Sequence, residues 1–173
     1  MYIEHAKHFI TEFYPYLHRA LEASRHNDDF RCNIYGIVNE YNRVCKRHVI
    51  YDSGASRAVF IDQDFVVKMN LPDAVIEHYG TCETEFSAYK WLVKRGWDYL
   101  FAPITVLHEH DLPFYVMPYV EPHYEDEELE EVLNEDEWDF VNSYFLDLHE
   151  DNWGLLNGAP VILDYAWNII EKR

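Results

Sequence analysis

The chain predicts a mixed α+β fold, on three observations. Apolar residues recur at helical spacing between residues 3 and 47, the period changes to that of strands between Arg57 and Asn70, and Asn157-Gly158 separates two short apolar runs near the end of the sequence. Length bounds the architecture: 173 residues, 49% of them hydrophobic, suit one domain of ordinary size or two small lobes sharing a cleft.

Taken in order, residues 3–24 place Ile3, Phe9, Phe13, Tyr16, Leu17 and Leu21 on one helical side, and Pro15 is expected to kink or divide the helix because it removes an intrahelical donor. Residues 33–47 predict a second helix. "RAVFIDQDFVVKMN" is two β-rich runs about the turn "DQD", the pattern of a hairpin. From Thr81 to Arg95, Phe86, Tyr89, Leu92 and Val93 form the apolar stripe of an amphipathic helix that Gly96 ends. "APITVLHEH" and "LPFYVMPYV" predict two strands about a short polar loop at Glu109 to Asp111, with Pro118 ending the ladder or marking an edge. Residues 121–146 predict helix, with Leu129, Val132, Leu133, Trp138, Val141, Tyr144 and Phe145 on an apolar side and a heavily anionic side opposite. The last element is a hairpin, "WGLL" and "PVILDY", joined by Asn157-Gly158, both of which take positive φ readily.

Charge narrows the partners. The net charge is −18, and from Gly96 to Glu171 there is no Lys or Arg, while 19 of the 32 acidic residues lie there. Nucleic-acid affinity comes from cations that displace counterions, so direct nucleic-acid binding by this half is excluded and a basic protein is the expected partner, unless the charge serves only solubility. No apolar run approaches a membrane span and "MYIEHAKHFITEF" has no signal-peptide core, so neither a membrane nor secretion is expected, and the location is expected to be cytoplasmic. Cys32, Cys45 and Cys82 are odd in number and form no C-x-x-C pair, which predicts buried thiols rather than disulfides or a thiolate zinc site.

The terminal hairpin raises a chemical question, because Asp147, Asn152 and Asp164 gather near its open end. Carboxylate and amide oxygens are the ligands that hard Mg²⁺ takes, although Asp and Asn are also ordinary turn formers. Lys68, in "FVVKM", is a charge amid apolar neighbours, either functional or snorkelling from a strand edge. His108 and His110 flank Glu109, and His5 and His8 share a helical face; neither pair forms a three-ligand zinc set with its neighbours.

In this order the features resemble the protein-kinase-like fold, in its aminoglycoside-phosphotransferase and small bacteriophage-kinase variety, over roughly residues 51–167. "YDSGASRAVF" resembles the nucleotide-covering loop, with Ser53, Gly54 and Ser56 at its tip. Lys68 stands where the family places the lysine that holds the α- and β-phosphates. Glu85, followed by Trp91-Leu92, resembles the helical glutamate that pairs with that lysine; Glu83 competes for the role, but two residues apart on a helix point different ways. "FYVMPYV" resembles the strand that enters the interlobe hinge, with Met117 controlling access behind the base and Pro118, Tyr119 and Val120 supplying backbone groups to an adenine edge. "DLHEDN" is similar to the catalytic loop of aminoglycoside kinases, which implies Asp147 as the base, Asn152 as a metal ligand and His149 in the place of the protein-kinase lysine; Asp164 resembles the second metal ligand.

The resemblance implies ATP and Mg²⁺ as cofactors. It also implies a compact two-lobe fold: a helical N-terminal extension over 1–50, a small lobe and hinge over 51–120, and a strongly reduced acidic C-terminal lobe over 121–173. Three features depart from the family. Phe145 and Leu146 replace the His-Arg or His-Gly before the catalytic Asp, Ala166 replaces a glycine, and only nine residues follow Asp164, so the substrate platform is expected to be missing or borrowed. The function implied is transfer of phosphate to a protein hydroxyl, in a phage-encoded host-takeover factor. The rival is an acidic kinase-fold binding protein, a pseudokinase or DNA mimic, that inhibits a basic host factor; a kinase acting on a cationic alcohol or aminoglycoside comes third.

Overall fold

A computed structural model of the chain describes residues 1–25, 30–54, 56–72, 80–121, 129–145 and 152–165. The fold is α+β, as its periods predict, and it divides into two units: residues 1–77 with 105–119, and residues 78–104 with 120–173.

The first unit is two helices on an antiparallel sheet. α1 (Tyr2–Ser24) turns Ala6, Phe9, Ile10, Phe13, Leu17 and Ala20 inward, and α2 (Phe30–Cys45) does the same with Phe30, Ile34, Val38 and Tyr41. Pro15 does not divide α1. Buried residues on both sides of it, Phe9 and Phe13 before and Leu17 and Ala20 after, hold the helix to the core across the missing donor. Because α2 takes its inward face from Phe30, Ile34 and Val38, Cys32 is left exposed; Cys45 is half-buried, and of the three thiols expected in the interior only Cys82 is buried.

The sheet has the order β1-β2-β3-β5-β4, from β1 (Ile50–Ser53), β2 (Arg57–Ile61), β3 (Phe65–Asn70), β4 (Thr105–Glu109) and β5 (Leu112–Pro118). Asp62 to Asp64 turn β2 into β3, where the Asp62 N–H donates to the Phe65 carbonyl at 3.0 Å. His110 and Asp111, both at positive φ, form the two-residue turn between β4 and β5, shorter than the three-residue loop the sequence predicts because Glu109 pairs with Leu112. Ala58, Phe60, Phe65, Val67, Met69, Phe114 and Val116 join the helices in one core, so residues 1–50 are built into this unit with the sheet. Strand alternation then puts Arg57, Val59, Val66, Lys68, Tyr115 and Met117 on the opposite face.

The second unit contains α3 (Cys82–Val93), a 3-10 turn at Asp98–Leu100, α4 (Leu129–Val132), α5 (Glu135–Tyr144) and the hairpin of β6 (Trp153–Leu156) and β7 (Ala159–Ile162). Thr81 caps α3, its hydroxyl oxygen accepting from the Thr84 N–H at 3.2 Å, and Gly96 lies beyond the helix at φ 76°. The inward face of α3 is Cys82, Glu85, Ala88 and Leu92, while Val93 is exposed and Phe86 and Tyr89 are half-buried, so the apolar stripe read from sequence is turned partly aside. The acidic helical stretch is two helices among the described residues: Asn134 and Glu137 form a reciprocal capping box that starts α5 afresh. Asn157 and Gly158 take φ 55° and 82° in the expected hairpin turn. Tyr165 is buried and donates its hydroxyl to the Ala102 carbonyl at 2.7 Å. Among the described residues no helix is long and apolar enough to cross a membrane.

Candidate functional site

In the first unit Lys68 and Met117 lie on the sheet face that α1 and α2 do not cover. Lys68 is only 7% exposed; it sits in the middle of the sheet, paired with Val59 on one side and Tyr115 on the other. Two residues along, Val66 pairs with the buried Met117, so the lysine and the position expected to gate the base share one face. A lysine snorkelling from an edge strand does not describe this geometry, since β3 is bordered by β2 and β5. Removing an ammonium from water is costly unless it is compensated, which is why a buried lysine in a sheet marks a place of interest.

Arg57 is a second buried cation on that face, and the sequence reading passed over it. The signal was present: the "DQD" turn fixes the register that pairs Arg57 with Asn70, two residues from Lys68. At the Arg57 end of β2, Ser53 and Gly54 lie in the turn from β1, Gly54 with open space where a side chain would begin. The Ser53 N–H donates to the Asp52 carboxylate at 2.7 Å and the Gly54 N–H to the Arg57 carbonyl at 3.1 Å, so both donors are engaged within the turn. Ser56 accepts from the Leu71 N–H through its carbonyl, and Arg31 of α2 reaches the tip, donating to the Gly54 carbonyl at 3.1 Å. The Tyr119 N–H is engaged by the Asp64 carbonyl at 3.0 Å. The chain leaves the first unit after Tyr119 and enters the second at Val120, the residues read as a hinge.

In the second unit Glu85 is fully buried, and Glu83, one helical step outward, is exposed. Glu85 and Asp164, distant in sequence, both bear on one side chain: burial raises the Tyr165 hydroxyl well above the ordinary tyrosine range, and the charges of Glu85 and Asp164 push it in the same direction. Tyr165, immediately after Asp164, is therefore a residue of this region that sequence reasoning did not single out. At the hairpin mouth the Leu163 N–H donates to the Asn152 carbonyl at 2.8 Å, which extends the ladder by one step past the Trp153–Ile162 pair and sets Asn152 across from Leu163, one residue before Asp164. An amide oxygen and a carboxylate are each ligands of the hard kind that Mg²⁺ accepts, and the Asp164 Oδ1 atom is shielded from solvent. Asp147 and His149, read as the base and its neighbour, lie outside the described residues, as does Ala166. Among the described residues no three of His, Cys, Asp and Glu gather as metal ligands.

No family model matches the chain, and no curated protein matches it either.

Proposed function

We propose that the protein is an ATP- and Mg²⁺-dependent kinase-like phosphotransferase that acts on a hydroxyl of a basic protein. One observation carries the reading: two opposite charges, Lys68 and Glu85, are each withdrawn from water, on a strand and a helix whose order along the chain is the one the resemblance requires. Apolar residues of similar volume often fill such positions with no loss of stability, so the retention of both charges supports a functional reading. In this reading Lys68 holds the α- and β-phosphates and Glu85 orients it, while Met117 and the backbone groups of Pro118, Tyr119 and Val120 receive the base. Ser53, Gly54 and Ser56 cover the phosphates. Asn152 and Asp164 hold the cation, which when bound offsets the charge on the transferring phosphoryl group. Asp147 accepts the proton of the incoming hydroxyl. The helices α1 and α2 stiffen the sheet from the face away from Lys68, consistent with a buttress rather than a substrate platform. A cytoplasmic site of action and a phage-encoded host-takeover role go with this reading.

Thermal melting with and without Mg-ATP tests it. A ligand selective for the native state at a hundred times its Kd adds about 2.7 kcal/mol, so saturating Mg-ATP raises Tm by several degrees and Asp164→Ala loses the metal-dependent part. Asp147→Asn keeps that shift while lowering transfer of labelled phosphate by orders of magnitude. An unchanged melting curve at millimolar Mg-ATP removes the reading.

The second reading, an acidic kinase-fold inhibitor of a basic factor, is favoured by the absence of Lys and Arg from Gly96 to Glu171. It is distinguished by Asp147→Asn, which leaves an inhibitor fully active and disables an enzyme.

A further inference from the structure

A ladder of aromatic rings runs across the surface of the second unit, outside the residues assigned to nucleotide. Trp97 stacks on Phe140 with ring centroids 4.3 Å apart and planes 9° from parallel. Phe140 continues to Trp91 at 6.1 Å and 20°, and Trp97 continues the other way to Tyr99 at 6.1 Å and 25°. None of the four is buried, and Tyr99, the outermost, is 55% exposed. An exposed tyrosine is ordinarily mobile, but this one is fixed: its hydroxyl donates to Glu137 at 3.1 Å, and the second oxygen of Glu137 is held by the Asn134 N–H at 3.0 Å as part of the α5 capping box.

The two ends of the ladder differ in charge. At the Trp91 end the chain's own Arg95 lays its guanidinium over the ring, 3.9 Å from the centroid. At the Tyr99 end the chain supplies carboxylates: Asp98 precedes Tyr99 in sequence, Glu137 is bonded to it, and Asp136 and Asp139 stand exposed on the same helix as Glu137. The negative face of an aromatic ring and a carboxylate rim favour the same ligand, a cation, and a planar guanidinium stacks on such a face better than a compact ammonium does. The Arg95–Trp91 contact is that arrangement already made within the molecule.

We propose that the Tyr99 end of this ladder is a docking surface for an arginine-rich segment of a partner protein, with a guanidinium stacked on Tyr99 and paired to the carboxylates of Asp98 and α5. The inference deepens the reading of a basic protein partner and rests on it for the partner's sign alone; nucleotide takes no part. Tyr99 and Trp97 supply the stacking face, Glu137 locks it in place before the partner arrives, and Asp136 and Asp139 steer the approach.

The test titrates a short end-blocked peptide of alternating arginine and glycine into the full chain without nucleotide, by calorimetry. In parallel the indole N–H signal of Trp97 is followed by NMR. The expected result is saturable binding that shifts the Trp97 signal, about tenfold weaker for Tyr99→Leu at unchanged Tm, and weaker for a peptide with lysine in place of arginine. Asp136→Asn with Asp139→Asn flattens the salt dependence. No binding, an unmoved Trp97 signal, or equal affinity for the Leu variant overturns the proposal; the Trp97 signal of the unaltered protein decides the matter if Tyr99→Leu does not fold. Failure here with the Mg-ATP melting shift intact removes only this surface, and binding without that shift removes only the phosphotransfer reading.

Discussion

Gly154 shows how a single position in the terminal hairpin is fixed by its surroundings rather than by its backbone angles. A methyl group added there falls on the Glu121 carbonyl oxygen and close to the Val120 side chain. Backbone does not rotate aside as a flexible side chain does, so β6 passes this segment only with a hydrogen at that place. Gly154→Ala is expected to cost on the order of 2–3 kcal/mol, read as a drop in the urea midpoint at unchanged slope, whereas Gly158→Asn, at φ 82° with open space around it, is nearly neutral. An alanine at 154 that unfolds at the parent midpoint would show that the hairpin is free to move off Glu121.

At the level of elements, α5 is a ten-residue helix with three acidic residues in its first turn, a placement that complements the partial positive charge of a helix N-terminus. Its start is set by Asn134, whose side chain accepts from the Glu137 N–H at 3.0 Å while Glu137 reciprocates. Asn134→Ala is expected to lower stability by about 1 kcal/mol, within the usual range for a lost cap, and Asn134→Asp to restore most of it. The check is chemical denaturation, with hydrogen exchange locating the loss to 135–138. Loss spread evenly over both units would mean that the box does not define this helix end. Glu137 links the cap to Tyr99, so the alanine variant also loosens the outer ring of the aromatic ladder.

On the scale of the whole molecule, each unit contains, among the described residues, one fully buried tyrosine whose ionisation folding opposes. Burial raises Tyr41 well above the ordinary range, and its hydrogen bond to Glu12 adds to the effect; Tyr165 is raised by burial and by Glu85, Tyr89 and Asp164. The sign follows from proton counting. Between the unfolded pKa, about 10, and the higher folded values, the unfolded chain has lost protons that the native chain keeps, so stability falls as pH rises. The urea midpoint is therefore expected to hold up to about pH 9–10 and to fall beyond it, with a shallower fall for Tyr41→Phe because one of the two groups no longer titrates. A net charge of −18 gives the same trend by self-repulsion, so the difference in slope between parent and Tyr41→Phe, rather than the fall itself, is the deciding measurement.

Sequence alone determined what neighbouring residues decide among themselves. The changes of hydrophobic period located α1, α2, the β2–β3 hairpin and β4–β5; Asn157-Gly158 located the last turn; and Lys68 stood out because a strand of Val and Met has no local use for a charge. What tertiary structure decided is which surface each element meets. The sheet offers two faces, and only packing assigns α1 and α2 to the one away from Lys68, which makes residues 1–50 part of the first unit's core. Periodicity gave α3 an aromatic stripe, yet the inward side is Cys82, Glu85, Ala88 and Leu92, because the face a helix buries is set by the shape it must fill and not by its most apolar arc. β1 escaped notice within a stretch read as loop, since a four-residue strand at the sheet edge gains its pairing from β2 rather than from its own composition. Tyr165 and the ladder from Trp91 to Tyr99 were invisible for the same reason: each is defined by partners that the chain brings together only after it has folded.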